Sequence, residues 1–568
     1  MKKVIPALVA IVLIIIIGAI AFGGELREKY SYSNEGADLY EHFNLKDISQ
    51  IAIIENNALL EEQAYLLDGR CYFSYETVLN HINDRFYIDK EEELLLFTTP
   101  TQIISAAMDG STYKTDGEEK DAGYKIWFQK GTYYIAADFL KQYTNYSYNL
   151  YLDPNRVLID KNFREQEVAD AKKATAVRVK GGVKSPVLKN ISEGDTLVIL
   201  ERMETWCKVM TGDGFIGYVE NKVLNDAYTQ KPDPVTDYEE PEYTSLTEDK
   251  KISIGWHAIY SVAGNDTLNE VAGNAAGMDV IAPTWYSVSD CYGSLRSFAS
   301  PSYVEKAHEK GLKVWGVVDD FNQEDTVGED VDVPLLLSRT TSRTMLIDNI
   351  ISEAKAAGLD GVNIDFERIN TAEAGADFVQ FLRELSIRCR QEGLVLSVDN
   401  YVPYDFNSRY DLEEQGVVAD YVIIMAYDEH WAGCEEAGSV SSAEYVRYSI
   451  DKTMQYVPEN KIITALPFYT RLWKTTGAKV SSEAYAMTGV DTVLNTYGMT
   501  AAWDEATSQN YAEATQGDTL YQIWIEDLQS INVKINIMKN YKLGGVAAWR
   551  LGYEPASVWE LFEAYTAQ

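Results

Sequence analysis

Cysteine and histidine are both scarce in this chain, with five of each among 568 residues. Cys71, Cys207, Cys291, Cys389 and Cys434 are scattered, odd in number and without a CxxC pair, which excludes a disulfide framework and a zinc site. His42, His81, His257, His308 and His430 form no HxH or HxxxH cluster, so neither a structural nor a catalytic metal is expected, and no cofactor. Basic residues are the third deficit. Fifty Lys and Arg stand against 87 Asp and Glu, a formal net charge of −37. Such a surface repels nucleic-acid phosphates and anionic lipid, which argues against both as partners. Apolar residues are not lacking: 46% hydrophobic with 24% charged is globular composition, and wholesale disorder is excluded. The length implies about three or four domains of ~150 residues. Aromatics are plentiful, with 39 Tyr and 11 Trp, and suit either core packing or stacking on sugar rings.

One long hydrophobic run is present. Met1-Lys2-Lys3 precedes an apolar stretch from Val4 to Gly24, interrupted by Pro6. About 20 such residues span a bilayer core as a helix, whereas a cleavable signal has an apolar part of roughly 7–15. Residues 1–27 are therefore expected to form a transmembrane signal anchor. Lys2 and Lys3 would stay in the cytoplasm and everything after Gly24 would be extracellular. The alternative is secretion after cleavage near Ala21-Phe22-Gly23. No cysteine follows the run, so a lipoprotein anchor is excluded. Unpaired cysteines are compatible with export from a bacterium of a reducing niche.

Residues 47–165 read as an α+β domain of short strands (Ile51–Ile54, Glu93–Phe97, Tyr133–Ile135, Arg156–Ile159) broken by helical patches at Ser74–Asn80 and Ala136–Leu140. These strand, turn and short-helix units resemble the stalk-like domain named after the N-terminus of copper amine oxidases, which implies a spacer or wall-facing module. The copper ligands are missing. Residues 172–225 read as a small all-β domain. Its strands are Ala176–Val179, Thr196–Leu200, Trp206–Val209 and Ile216–Val219, with turns at Glu193-Gly194-Asp195 and Gly212-Asp213-Gly214. The succession Val177-Arg178, Gly194-Asp195-Thr196, Trp206-x-Lys208-Val209 and Asp213-Gly214-x-x-Gly217-Tyr218-Val219 resembles the bacterial Src-homology-3-like cell-wall module. In that family the fold commonly attends peptidoglycan-acting proteins. Trp206 and Tyr218 fit a core role equally well. Residues 226–250, acidic and Pro-containing, read as a self-repelling linker.

From 251 to 568 the pattern changes to apolar strands alternating with amphipathic helices. Expected strands are Ile252–Ala258, Val280–Tyr286, Lys313–Val318, Gly361–Glu367, Val395–Tyr401, Tyr421–Tyr427, Lys461–Phe468 and Gly545–Leu551. Eight alternations fit a parallel (β/α)8 (TIM) barrel. The gap of about 470–541 exceeds one helix and should hold an α+β insertion. On the fourth strand, Asn363, Asp365 and Glu367 share one face, since residues two apart do, and Val362, Ile364 and Phe366 share the other. A row of inward acids at the C-terminal mouth is costly to bury unless it does chemistry. Neighbouring carboxylates raise one another's pKa, so Glu367 is expected to hold a proton near neutrality while Asp365 stays ionised. Glycoside cleavage requires that division.

Asp360-x-x-Asn363-x-Asp365-x-Glu367 resembles the glycoside hydrolase family 18 signature Asp-x-x-Asp-x-Asp-x-Glu, departing only at Asn363. Met425-Ala426-Tyr427-Asp428 resembles the family's Met-x-Tyr-Asp, and Gly544–Trp549 its eighth strand with a terminal tryptophan. Pro283-Thr284-Trp285-Tyr286-Ser287 and Pro467–Trp473 are similar to the branch found in bacterial spore-cortex and cell-wall hydrolases. The resemblance implies substrate-assisted retention. Glu367 would be the acid and then the base, Asp365 would stabilise an oxazolinium, and Tyr427 would bond the acetamide. Asp428 would assist, and Trp549 would form the floor beneath the sugar. Met425 and Trp285 join the supporting set, and Asp360, on the opposite strand face, is structural. Asn363 removes a charge and should leave Asp365 easier to ionise.

The implied substrate is an N-acetylated polysaccharide. The anchor and the Src-homology-3-like module favour bacterial cell wall or spore cortex, that is, peptidoglycan. Chitooligosaccharides or glycans are the alternative substrate, and a non-catalytic wall-binding protein is the alternative of a different class.

Overall fold

The computed structural model describes residues 8–18, 29, 31–115, 117–129, 131–232, 238–321 and 331–567. The chain divides into two compact units: the first holds Met1–Phe86 with Ala106–Glu240, the second Tyr87–Ser105 with Pro241–Gln568. Most of the expected membrane span, 1–27, lies outside the described residues. Its described part, 8–18, is helical with exposed apolar side chains, and no helix among the described residues is long and apolar enough to cross a membrane.

The first unit contains two seven-stranded sheets. In one, Gln50–Glu55 runs parallel to Arg156–Asp160 and antiparallel to Ala58–Leu67. The other is antiparallel throughout and carries Thr175–Arg178, Thr196–Arg202, Trp206–Thr211 and Ile216–Glu220. Both sheets feed one core, in which Ala52 and Ile54 pack with Val177, Cys207 and Val209. Arg156 is buried in this unit, donating from Nε to the Asp213 carbonyl at 2.6 Å and from Nη2 to its carboxylate at 2.8 Å.

The second unit is built on eight parallel strands, each followed by a helix. They are β1 (Ile252–His257), β2 (Val280–Pro283), β3 (Lys313–Asp319), β4 (Gly361–Asp365), β5 (Val395–Tyr401), β6 (Tyr421–Met425), β7 (Ile462–Pro467) and β8 (Gly545–Trp549). β8 pairs with β1 as well as with β7, which closes the barrel. The helices are α1 (Leu268–Asn274), α2 (Pro301–Glu309), α3 (Thr340–Ala357), α4 (Ala372–Glu392), α5 (Leu412–Val418), α6 (Ala443–Thr453), α7 (Leu528–Met538) and α8 (Ser557–Thr566).

Two apolar layers follow from strand alternation. Ile254, Trp256, Val317, Ile423 and Ala547 fill the interior. Val362, Ile364 and Phe366 pack outward against the helices. Phe366 lies parallel to Phe381 of α4, with centroids 5.7 Å apart. Each such ring contributes roughly 1.5–3 kcal/mol by burial. α4 starts where Thr371 Oγ1 accepts the Ala374 amide at 3.1 Å and stops at Gly393, whose φ of +69° suits glycine. Gly361 opens β4 because a Cβ there would lie 2.7 Å from Trp315 Cδ1, the ring that packs across the interior.

Between β7 and α7 the chain forms a five-stranded antiparallel sheet (Tyr469–Thr476, Lys479–Ala486, Ala502–Asp504, Gln509–Gln516, Thr519–Ile525) with one helix, Val490–Tyr497. Tyr87–Ser105, read in the sequence as part of the 47–165 stretch, folds with the barrel instead. Its hairpin is fastened to α3 and α4 by polar side chains. Asp89 accepts the Thr340 amide and hydroxyl, and Gln380 donates to Thr98 Oγ1 at 3.0 Å. Tyr87 donates to Asp377 at 2.6 Å. Arg343, with no exposed surface, forks onto both oxygens of Glu384 at 3.1 Å and also reaches the Leu337 carbonyl and the Tyr87 hydroxyl. No hydrophobic period announces these contacts, which is why the segment was not separable by pattern.

Candidate active site

The inward face of β4 carries Asn363 and Asp365. Asn363 is fully buried. Its Oδ1 accepts Trp256 Nε1 at 3.0 Å, and its Nδ2 donates to Ser397 Oγ at 3.0 Å and Asp399 Oδ1 at 2.9 Å. Asp365 sits beside Asp319 in the β3–β4 register. Its Oδ1 is buried and accepts no hydrogen bond from the described residues. A buried acceptor without a donor is costly, and here it faces the mouth of a barrel.

β4 ends at Asp365, two residues earlier than alternation suggested. Glu367 is therefore not held by the sheet. Asp320 holds it, accepting the Glu367 amide at 3.0 Å and the Arg368 amide at 2.8 Å. Tyr401, at the end of β5, donates its hydroxyl to the Glu367 carboxylate.

The electrostatics follow from this crowding. Burial, opposed by the Tyr401 hydrogen bond and reinforced by Asp320, Asp428 and Asp319, pushes Glu367 up to about 7. Burial first, then Glu367, Asp399 and Asp319, drives Asp365 well above the ordinary carboxylate range. Asp399 is raised in the same way, by burial and by Glu367, against the favourable bond from Asn363. Asp319, half-buried, is raised to about 6, chiefly by its desolvation. Asp365 thus holds its proton more tightly than an ordinary carboxylate, a direction opposite to the expectation that it ionises easily. Asp399 on the next strand lies within hydrogen-bond distance of Asn363, so a carboxylate still stands beside that position.

Tyr427 follows β6 and closes the interior cluster beside Trp549. Burial, Tyr469 and the carboxylates of Asp365 and Asp399 hold its phenol well above its usual pKa, so it remains a neutral donor. Asp428 adopts φ +56° and turns to Tyr469, whose hydroxyl donates to it at 2.6 Å, with Arg471 3.8 Å away. Met425 ends β6 opposite Tyr401 and Ala465. Trp549 ends β8 with its ring edge-on to Trp256 at 6.2 Å. Asp360 lies at the opposite end of β4, where it accepts the Val314 amide and His308 Nε2, both at 2.8 Å. Trp285 does not join the site. It is 1% exposed, bonded through Nε1 to Asn265 and packed edge-on against Tyr303 of α2, because its side chain points to the helix layer.

Asp399, Asp319, Asp320 and Tyr401 are members that sequence reasoning missed. Ser397, Asp399 and Tyr401 share a parity within an apolar strand, the same signal that singled out Asn363 and Asp365. Asp319-Asp320 ends a strand of the same kind. Among the described residues no group of three or more His, Cys, Asp or Glu is arranged to hold a metal ion. What the site offers is a carboxyl that carries a proton near neutrality, a second carboxyl with a free oxygen, and a neutral phenol. Together these suit proton transfer to a leaving oxygen and stabilisation of a developing cation.

Comparison with known proteins places this geometry. Residues 276–554 match the family model "Glycosyl hydrolases family 18", and residues 173–225 match "Bacterial SH3 domain". YdhD of Bacillus subtilis (strain 168), proposed to be a sporulation-specific glycosylase, is 31% identical over 241 residues, 41% of this chain and 56% of that protein. The cortical fragment-lytic enzyme of Bacillus anthracis is 26% identical, over 40% of this chain and 54% of its own. The chain thus spans about half the length of these curated relatives. The crystal structure of a chitinase from Chromobacterium violaceum ATCC 12472 superposes with a TM-score of 0.50 at 20% identity, covering 56% of this chain and 99% of that one, and shows the shared fold.

Proposed function

We propose that this chain, whose barrel belongs to glycosyl hydrolases family 18, hydrolyses β-linked N-acetylglucosamine polymers, and that its substrate is bacterial peptidoglycan of the wall or spore cortex. The observation that carries the activity is the pairing of Glu367, poised near 7, with Asp365, whose buried oxygen has no partner. In the first step the Glu367 proton passes to the glycosidic oxygen as the bond to the anomeric carbon breaks. The 2-acetamido oxygen of the same sugar bonds that carbon and forms an oxazolinium ion. Asp365 reacts in its ionised form, accepting the acetamide N–H and offsetting the positive charge of the ion, while Tyr427 bonds the acetamide oxygen. Water then adds to the anomeric carbon, gives its proton to Glu367 and restores the acetamide with retained configuration. Trp549 forms the floor under the reacting sugar.

The peptidoglycan assignment is supported by the bacterial SH3 domain at 173–225 and by the cortical fragment-lytic relative. The apolar run from Val4 to Gly24 supports a tether that leaves the barrel outside the cytoplasm, with the 47–165 stretch, apart from Tyr87–Ser105, as a spacer.

The test incubates the full chain and its Glu367→Gln variant with peptidoglycan, spore cortex and N-acetylglucosamine oligosaccharides, and identifies the new reducing ends by mass spectrometry. Release from peptidoglycan or cortex by the parent alone is expected. Binding without cleavage would overturn the activity, and cleavage of the oligosaccharides alone would overturn the substrate.

A further inference from the structure

Peptidoglycan and chitin-type glycans share the N-acetylated sugar, so Glu367, Asp365, Tyr427 and Trp549 read features common to both. What differs is charge. The muramic acid of peptidoglycan carries a lactyl arm that ends in a carboxylate, or in a stem peptide with carboxylates of its own. A cation at the barrel mouth is the simplest reader of that difference. Arg550 is such a cation. It directly follows Trp549, where β8 ends, and is half-buried.

The guanidinium is held by rings. Its Cζ lies 4.2 Å from the centroid of Tyr553 and 5.9 Å from that of Tyr260, and Nη2 donates to the Tyr553 hydroxyl at 2.6 Å. Among the described residues no carboxylate forms an ion pair with it, in a chain of 87 Asp and Glu. Tyr260, in the segment after β1, is 64% exposed, so solvent reaches this side of the clamp. The neighbouring imidazole adds no second cation, because burial and the Arg550 charge push His257 down to about 4.

The segment that carries the clamp is also fixed. The Trp549 carbonyl accepts the Phe468 amide at 2.7 Å, the Leu551 amide donates to the Trp256 carbonyl at 2.9 Å, and the Tyr553 carbonyl accepts the Thr488 amide at 3.2 Å. A guanidinium set in place in this way loses little freedom on binding, and its planar fork matches a carboxylate.

We propose that Arg550 is a specificity-determining residue. It pairs with a carboxylate on the lactyl arm of muramic acid, either the lactyl group's own or one in the stem peptide, in a glycan whose N-acetylglucosamine lies on Trp549. The inference rests on the reading of the barrel as a peptidoglycan hydrolase. To that reading it adds the group that selects a muramic acid strand over a chain of N-acetylglucosamine alone.

The test is calorimetric titration of the full chain carrying Glu367→Gln, which stops turnover. The ligands are peptidoglycan tetrasaccharides with stem peptides, the same strands stripped of peptide by an amidase, stripped strands with the lactyl carboxylates converted to methylamides, and N-acetylchitotetraose. Arg550→Gln in that background should lower the ratio of stripped-strand to chitotetraose affinity about tenfold, the worth of one hydrogen bond to a charged group. Arg550→Lys should restore part of that ratio, and methylamide strands should show no drop. A drop confined to strands with stem peptides assigns the carboxylate to the peptide. An unchanged ratio for both kinds of anionic strand, or an equal drop for the methylamide strands, would overturn the proposal. Failure of the peptidoglycan reading looks different. The wild-type chain would then cleave N-acetylchitotetraose and leave every muramic acid strand intact, while the binding ratio still decides the role of Arg550. No binding of any muramic acid strand would overturn both.

Discussion

Replacing Glu367 by Gln should stabilise the barrel while abolishing its chemistry, and the two effects have separate pH signatures. Glu367 is raised from an ordinary 4.5 to about 7, with burial as the largest cause. The sign follows from proton counting. As pH rises through 4.5 the unfolded chain releases this proton, while the folded barrel keeps it until about 7. The folded state therefore binds more protons across that window, and wild-type stability falls as pH rises. A rise from 4.5 to about 7 corresponds to about 3 kcal/mol. Asp365 and Asp399, buried beside it, take up part of the proton load, so ~1–3 kcal/mol is expected. Gln keeps the shape and can still accept the Tyr401 hydroxyl. The variant should match wild type at pH 4 and melt several degrees higher at pH 8, read by scanning calorimetry of the full chain. Activity on an N-acetylated glycan should fall by about 10²–10⁴. A variant no more stable than wild type at pH 8, or equally stabilised at pH 4, would refute the electrostatic account. Retained activity would refute the role of Glu367.

Other consequences can be checked in parallel. Asn363→Asp sets a second carboxylate where Nδ2 now donates to Asp399 at 2.9 Å, so it should destabilise the barrel at pH 8 by ~1–3 kcal/mol and less at pH 4, in denaturant titrations at the two pH values. Arg343→Met leaves the buried Glu384 without its partner and should cost about 3–5 kcal/mol by urea unfolding, with no change in the pH dependence of cleavage. Trp549→Ala removes the ring at the end of β8 and should lower kcat/KM about 10- to 100-fold with folding intact by circular dichroism. An unchanged kcat/KM would remove Trp549 from the site.

Much of the barrel was legible because eight apolar strands and their helices repeat with their own periods. The two faces of β4 were legible for the same reason, as strand alternation sends Asn363 and Asp365 inward and Ile364 outward. What alternation could not show was where β4 stops or what positions a carboxyl beyond it. Nor could it show that Trp285, next to a strand end, turns to the helix layer. The Tyr87–Asp89 contacts with Arg343, Thr340 and Asp377 span 251 to 290 residues of chain and have no local signal.

By itself, the sequence determined the alternating architecture, the Asp365 and Glu367 pair and the excess of acid. Only closure of the barrel decided what those acids are. It brings Asp319 at the end of β3 and Asp320 just after it, and Asp399 and Tyr401 from β5, onto Asp365 at the end of β4 and Glu367 beyond it. A carboxylate's proton affinity depends on its solvent and its neighbours' charges, and those are properties of the assembled site.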